Sequence, residues 1–243
     1  MKNKNIGLLT LAFLALLAIV GVFFLEPISQ DENYHNFCDS KTLFSIPNFW
    51  NVISNLPFLI VGVYGMMKRD VFGKKSIQYI LFFVGISLVS LGSGYYHLNP
   101  NNTTLIWDRL PMTIAFMSLF SIIVSEFIDY KIGLKLLFPA LIIGILSVIY
   151  WLIFNDLRVY VLVQFYPILA ILVILLFFKS SYTLTYGYWL LLLAYILAKG
   201  FEHFDHQIQD ISTFMSGHPL KHLAAAIGIF ALLYTYIRRE KVN

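Results

Sequence analysis

Charge is scarce in this chain. Charged residues fill only 12% of its 243 positions, about half the ~25% of an ordinary soluble domain. That deficit excludes a soluble globular surface and points to a membrane protein. Cysteine is scarcer still. Cys38 stands alone, which excludes an internal disulfide and a thiolate metal cluster and sets no redox compartment. Low-complexity segments, internal repeats and a soluble domain are also missing. The basic residues form no groove-sized cluster, so the net charge of +4 is not a nucleic-acid footprint.

Apolar length is what the chain has in quantity. Hydrophobic residues make up 59%, and they collect in runs of about 20 residues, enough to cross a bilayer as helix. Eight such runs are legible, near 6–25, 48–67, 77–97, 105–125, 135–154, 158–178, 184–203 and 218–237. Hydrocarbon cannot satisfy an open backbone, so runs of this kind are helices. The expected fold is all-α and polytopic. The first run follows the basic start "MKNKN" but is too long for a signal-peptide core and has no A-x-A site, so it reads as an uncleaved span.

Lys and Arg orient the spans. With the N-terminus inside, the inner segments hold Lys2, Lys4, Lys68, Arg69, Lys74, Lys75, Lys131, Lys135, Lys179, Arg238, Arg239 and Lys241. The outer ends hold Lys41, Arg109, Arg158, Lys199 and Lys221. Twelve against five places both termini in the cytoplasm. All six histidines then fall at or near the outer side. Loop decoration accounts well for His35 but poorly for His97 and His222, which lie in or beside apolar runs.

Spacing sharpens the pattern. Ser93 and His97 are four apart and share a helix face, as do His218 and His222 in "SGHPLKH". Pro219 suits a first helical turn. Asp108 opens the following run, so three spans bring these five residues to similar depth. Ionisable groups in a membrane usually face the bundle interior and mark function. Three imidazoles with an open position make a hydrolytic zinc site, where the ion lowers the pKa of water to about 7. A carboxylate can move protons beside it, and a hydroxyl can donate to an oxyanion. A bare HxxxH pair also serves structural ends, so spacing alone leaves both readings open.

The segments "PNFWNVISNLPF" (47–58), "SGYYH" (93–97), "WDRLPM" (107–112) and "GHPLKH" (217–222) together resemble the alkaline ceramidase family. That family belongs to the CREST superfamily, with the adiponectin receptors and GPI-remodelling lipid hydrolases. The resemblance spans about 47–238. It implies a seven-transmembrane-helix bundle over those residues, with residues 1–30 forming an extra N-terminal transmembrane helix. It further implies a membrane hydrolase that cuts the amide of ceramide or a similar N-acyl lipid by attack of metal-bound water. His97, His218 and His222 would be zinc ligands, Asp108 would act on the water, and Ser93 would assist at the oxyanion. The substrate would be a lipid within the bilayer, and the active site would face outward. No nucleic acid or protein partner is expected.

Two departures accompany the resemblance. The extra first span precedes the family core. The eukaryotic ceramidases also bind calcium through an acidic segment, but here "DENYHNFCDS" is spaced differently from "PNFWN". Asn48 stands where the family has Glu, which puts calcium in doubt. Alternatives are a related hydrolase of an ester or phospholipid and a receptor-like member without enzymatic activity. A haem protein would also use intramembrane His, and a transporter would set polar groups at midplane on broken helices. Asn51, Ser54 and Asn55 read as interhelical hydrogen-bonding residues, with substrate contact as the alternative. Glu202, His203, Asp205 and His206 read as structural residues or supports of the metal ligands; the alternatives are metal binding through His203 and His206, three apart, and a solvated helix end with Lys199 paired to an acid. Arg109 reads as an ion-pair partner or a headgroup contact, and Glu126 and Asp129 as interfacial residues.

Overall fold

The structure, a computed structural model, describes residues 3–73, 77–212 and 214–242. Lys2, Lys74 and Lys75 of the basic count lie outside the described residues. Among those described, every regular element is helical. Besides short 3-10 turns at Glu32–His35 and Arg69–Phe72, they are, in chain order, α1 (Lys4–Phe24), α2 (Phe49–Ile53), α3 (Leu56–Met67), α4 (Ile77–Leu98), α5 (Asn102–Phe127), α6 (Tyr130–Phe154), α7 (Arg158–Phe177), α8 (Tyr186–His203), α9 (Asp205–Ile211) and α10 (Gly217–Arg238). Among the described residues, seven helices are long and apolar enough to cross a membrane, with α2 and α3 counted as one.

Two of the eight expected runs differ. The run at 184–203 is the helix α8, which Lys199 and Glu202 leave short of span composition; it nevertheless runs the depth of the bundle, from Gly187 against Thr235 to Phe201 against Gly217. It lies along α10. The run at 48–67 is a helix broken between α2 and α3 at Ser54–Asn55. Pro57 explains the break: it has no N–H for the Ile53 carbonyl, and its ring crowds that carbonyl.

The bundle pairs α3 with α4, α4 with α5, α5 with α6, and α8 with α10, while α1 packs on α7. Two glycines permit close approaches that build one end. A Cβ on Gly92 of α4 would overlap the Trp107 carbonyl of α5, and one on Gly217 would overlap the Phe201 carbonyl of α8. The first contact sets Ser93 next to Asp108. The α5 start is fixed by Asn101, whose side chain accepts from the N–H groups of Thr103 and Thr104, with Thr104 closing a reciprocal box.

At the same end, Asp156 and Arg158 clip α1 to the loop before α7. Arg158 pairs with Asp156 at 2.8 Å and donates to the carbonyls of Val22 and Leu25. Hydrogen bonds from Arg158 hold the Asp156 carboxyl down at about 2. This clip is therefore complete above the ordinary carboxylate range and is lost as pH falls through that range toward about 2.

The opposite end carries a second polar knot. Glu126 is buried, not interfacial as its sequence position suggested. It pairs with Arg239 at 2.6 Å and accepts hydrogen bonds from the hydroxyls of Tyr79 and Tyr188. Arg239 also lies over the rings of Tyr79, Tyr182 and Tyr236. A charge of each sign is buried there because each satisfies the other. Asp129 instead caps α6, accepting from the Ile132 N–H at 2.9 Å. Thr183 donates to the Glu240 carbonyl, and Gly7 sits against Phe177 and Phe178. The start of α1 and the end of the chain thus share this end of the bundle, away from the histidines.

Candidate metal centre

His97 comes from the last turn of α4, and His218 and His222 from the first two turns of α10. All three are buried, at 1%, 5% and 7% exposure. Their ring centroids lie 5.0–5.1 Å apart. One nitrogen from each falls within 4.8 Å of the others. The donor set fits a divalent cation for a second reason. His97 Nδ1 and His218 Nε2 are buried and have no hydrogen-bond partner among the described residues, a state that costs free energy unless something binds them. His222 Nδ1 lies 2.8 Å from Ser54 Oγ, and Ser54 can donate to the Asn51 carbonyl at 3.3 Å. With its proton on Nδ1, His222 keeps the Nε2 lone pair free and its ring fixed, as ligating imidazoles require.

Neighbouring segments hold the triad. The Asp205 carboxylate accepts from the His218 N–H at 2.6 Å and from the Cys38 N–H at 3.2 Å. It thereby caps the start of α10 and ties down the chain before α2. Phe37 of that chain covers the triad, with its ring 4.7 Å from His97 and 4.2 Å from His218. Asn48 donates to the His97 carbonyl at 2.8 Å. Spacing rules do not reveal Phe37, Ser54 or Asp205, because long-range packing places them. His35 was assigned to the surface, yet it sits 2.8 Å from the Tyr96 hydroxyl and 3.0 Å from Asn102 Oδ1. His203 and His206 stay outside the triad, and His206 faces Cys38 at 3.3 Å.

Beside the triad opens a largely apolar cavity of about 350 Å³, lined by Ser93, Asp108 and His222 at its polar end. Ser93 is a hydrogen-bond partner of Asp108. Lys199 and Lys221 both pair with Glu202, at 2.5 and 2.6 Å, as the paired helix end required, and all three reach the same mouth. Arg109 forms no ion pair with Asp108 among the described residues. It is buried between the rings of Trp151 and Tyr160 and donates to Gln30. From this end the cavity follows one face of α5 through Met112, Ala115 and Leu119 to Ile123. The fifteen steps from Asp108 to Ile123 span about 22 Å at 1.5 Å per residue, the depth of a long hydrocarbon chain.

The fold and site define a polytopic helical membrane protein whose buried three-histidine cluster could hold a metal ion at the head of an apolar cavity. The chain belongs to the ceramidase family, whose model matches residues 30–241. It is also 32% identical over 84 residues to the alkaline ceramidase 3 of Mus musculus. That alignment covers 34% of this chain and 28% of the mouse protein.

Proposed function

We propose that this chain is a zinc-dependent membrane hydrolase that cleaves the amide of ceramide or a similar N-acyl lipid. The carrying observation is the placement of three buried imidazoles, two with unpaired nitrogens, beside a carboxylate and a hydroxyl at the head of a lipid-sized cavity. Family membership supports the same chemistry.

His97, His218 and His222 would hold the ion. Bound zinc supplies Lewis acidity toward a carbonyl and makes water acidic near neutral pH. Asp108 takes the proton from the attacking water and passes it to the leaving nitrogen. The Ser93 hydroxyl donates to Asp108 in the resting site. Protonation of Asp108 frees that hydrogen to turn toward the developing oxyanion. The apolar cavity holds a lipid chain and excludes water from the reacting bond. Turnover by the purified protein tests the reading. Fatty acid and long-chain amine should appear one for one, and an intact amide in the presence of fully metal-loaded protein would overturn it.

The same reading places the histidine end at the outer face and both termini in the cytoplasm. The support is the basic bias, with Lys4, Lys68, Arg69, Lys131, Lys135, Lys179, Arg238 and Lys241 on segments at the other end. Arg239 no longer counts as a loop charge, since it is buried with Glu126. Tags on both ends should become protease-accessible only after permeabilisation. A C-terminal tag cleaved in intact cells would reverse the orientation.

A further inference from the structure

The break between α2 and α3 leaves an unused acceptor in the cavity wall. Asn55 is 1% exposed and lines the cavity with its near neighbours Phe58 and His222. Its side-chain N–H donates to the Asn51 carbonyl at 2.7 Å. Its own carbonyl accepts from Ser90 at 2.7 Å. The Ser90 bond holds the backbone, and the Asn51 bond alone fixes the side chain, because a carbonyl can face only the N–H end of the amide. Asn55 Oδ1 then has no partner among the described residues. The preceding residue, Ser54, braces His222, so the orphaned oxygen belongs to the same turn that orients the triad.

A buried acceptor without a donor is unfavourable by itself. It becomes favourable when a ligand brings the donor. Gln164 also lines the cavity with an amide, but it stands on α7 and not on the turn that braces His222; several other polar groups there are committed or indifferent. Lys199 and Lys221 are donors only, and each is paired with one oxygen of Glu202. Asp108 is engaged by Ser93. The Tyr195 hydroxyl is also unpaired, but it can donate to an ester carbonyl as readily as to an amide carbonyl. Asn55 Oδ1 is different, because it can only accept. An N-acyl lipid offers it an N–H, whereas an O-acyl lipid offers nothing.

We infer that Asn55 Oδ1 accepts the N–H of the scissile amide and so selects N-acyl over O-acyl lipids. This rests on the hydrolase reading above and adds a specificity-determining residue to it. A site built to hydrogen-bond a substrate group discriminates strongly against the analogue that lacks it, because its own buried polar atom is left unpaired.

Binding to full-length, metal-loaded Asp108→Asn protein tests this without requiring turnover. The probes are a ceramide, its N-methyl amide, its 3-deoxy analogue and an O-acyl ester with the same chains. The ceramide and the 3-deoxy analogue should bind about tenfold or more tighter than the N-methyl amide and the ester. Adding Asn55→Leu, close in volume but without an acceptor, should bring the four affinities together by weakening the two N–H ligands while metal content stays constant. Asn55→Asp keeps an acceptor and should keep the preference.

Equal affinities in the Asp108→Asn parent would overturn the inference. So would an unchanged preference in Asn55→Leu, or equal losses for all four probes. Loss of the preference in Asn55→Asp would assign the effect to the Asn51 bond and also overturn it. A penalty confined to the 3-deoxy probe would move the contact from the amide to the hydroxyl. Wild-type protein that shows the N–H preference but no amide turnover would sink the hydrolase reading and leave this contact standing. Turnover without the preference would do the reverse.

Discussion

His97→Ala, His218→Ala and His222→Ala should each lose bound metal and lipid-amide turnover together. The three imidazoles come from two helices that converge at one end of the bundle, and their ligand atoms lie within 4.8 Å of one another. Removing one leaves two protein ligands, too few for the three-ligand arrangement of a hydrolytic zinc site. The His97 Nδ1 and His218 Nε2 orphans would lose the partner that offsets their burial. His203→Ala and His206→Ala are the matched controls, since both lie outside the triad, and they should keep metal and activity. Metal content of the purified variants, measured beside turnover, checks all five. Full metal occupancy in all three triad variants would refute the ligand assignment.

Asp108→Asn should keep the metal and lose about 10²- to 10⁴-fold in rate, the usual contribution of a positioned acid–base group. The substitution preserves size and can still hydrogen-bond Ser93, so the wall of the cavity should stay in place. What disappears is the capacity to take a proton from water and return it to nitrogen. Ser93→Ala should cost less, at most the ~10²- to 10³-fold of one oxyanion donor, because a metal would already polarise the carbonyl. The pH–rate profile separates the two roles. Asp108→Asn should lose the limb set by the base, while Ser93→Ala should keep it. Metal lost from Asp108→Asn would make Asp108 a ligand or a brace. Wild-type rates in that variant would remove it from the chemistry.

Much of this was legible in the sequence because the membrane simplifies the code. Long apolar runs must be helices, and four-residue spacing puts Ser93 with His97 and His218 with His222 on shared faces. What spacing cannot show is which faces meet. Gly92 against Trp107 and Gly217 against Phe201 are interhelical approaches, and they decide that Ser93 meets Asp108 and that α10 starts beside α8. Ser54 and Asn55 read as interhelical residues, with substrate contact only as the alternative. Their roles follow from a break set by Pro57, which a hydropathy run hides. Glu126 was placed at an interface because it ends a span, yet its partner Arg239 lies 113 positions away. Phe37 and Asp205 sit in segments without periodicity, where only tertiary structure reveals that one covers the triad and the other caps it.

A metal titration followed by turnover asks whether the three histidines hold a catalytic zinc ion. Purified protein stripped by chelator should be inactive toward ceramide. Activity should return in proportion to added zinc and saturate at one ion per chain. Full ceramide turnover by the stripped protein, or zinc bound at one per chain with no turnover of any N-acyl lipid, would rule out a catalytic zinc at these histidines.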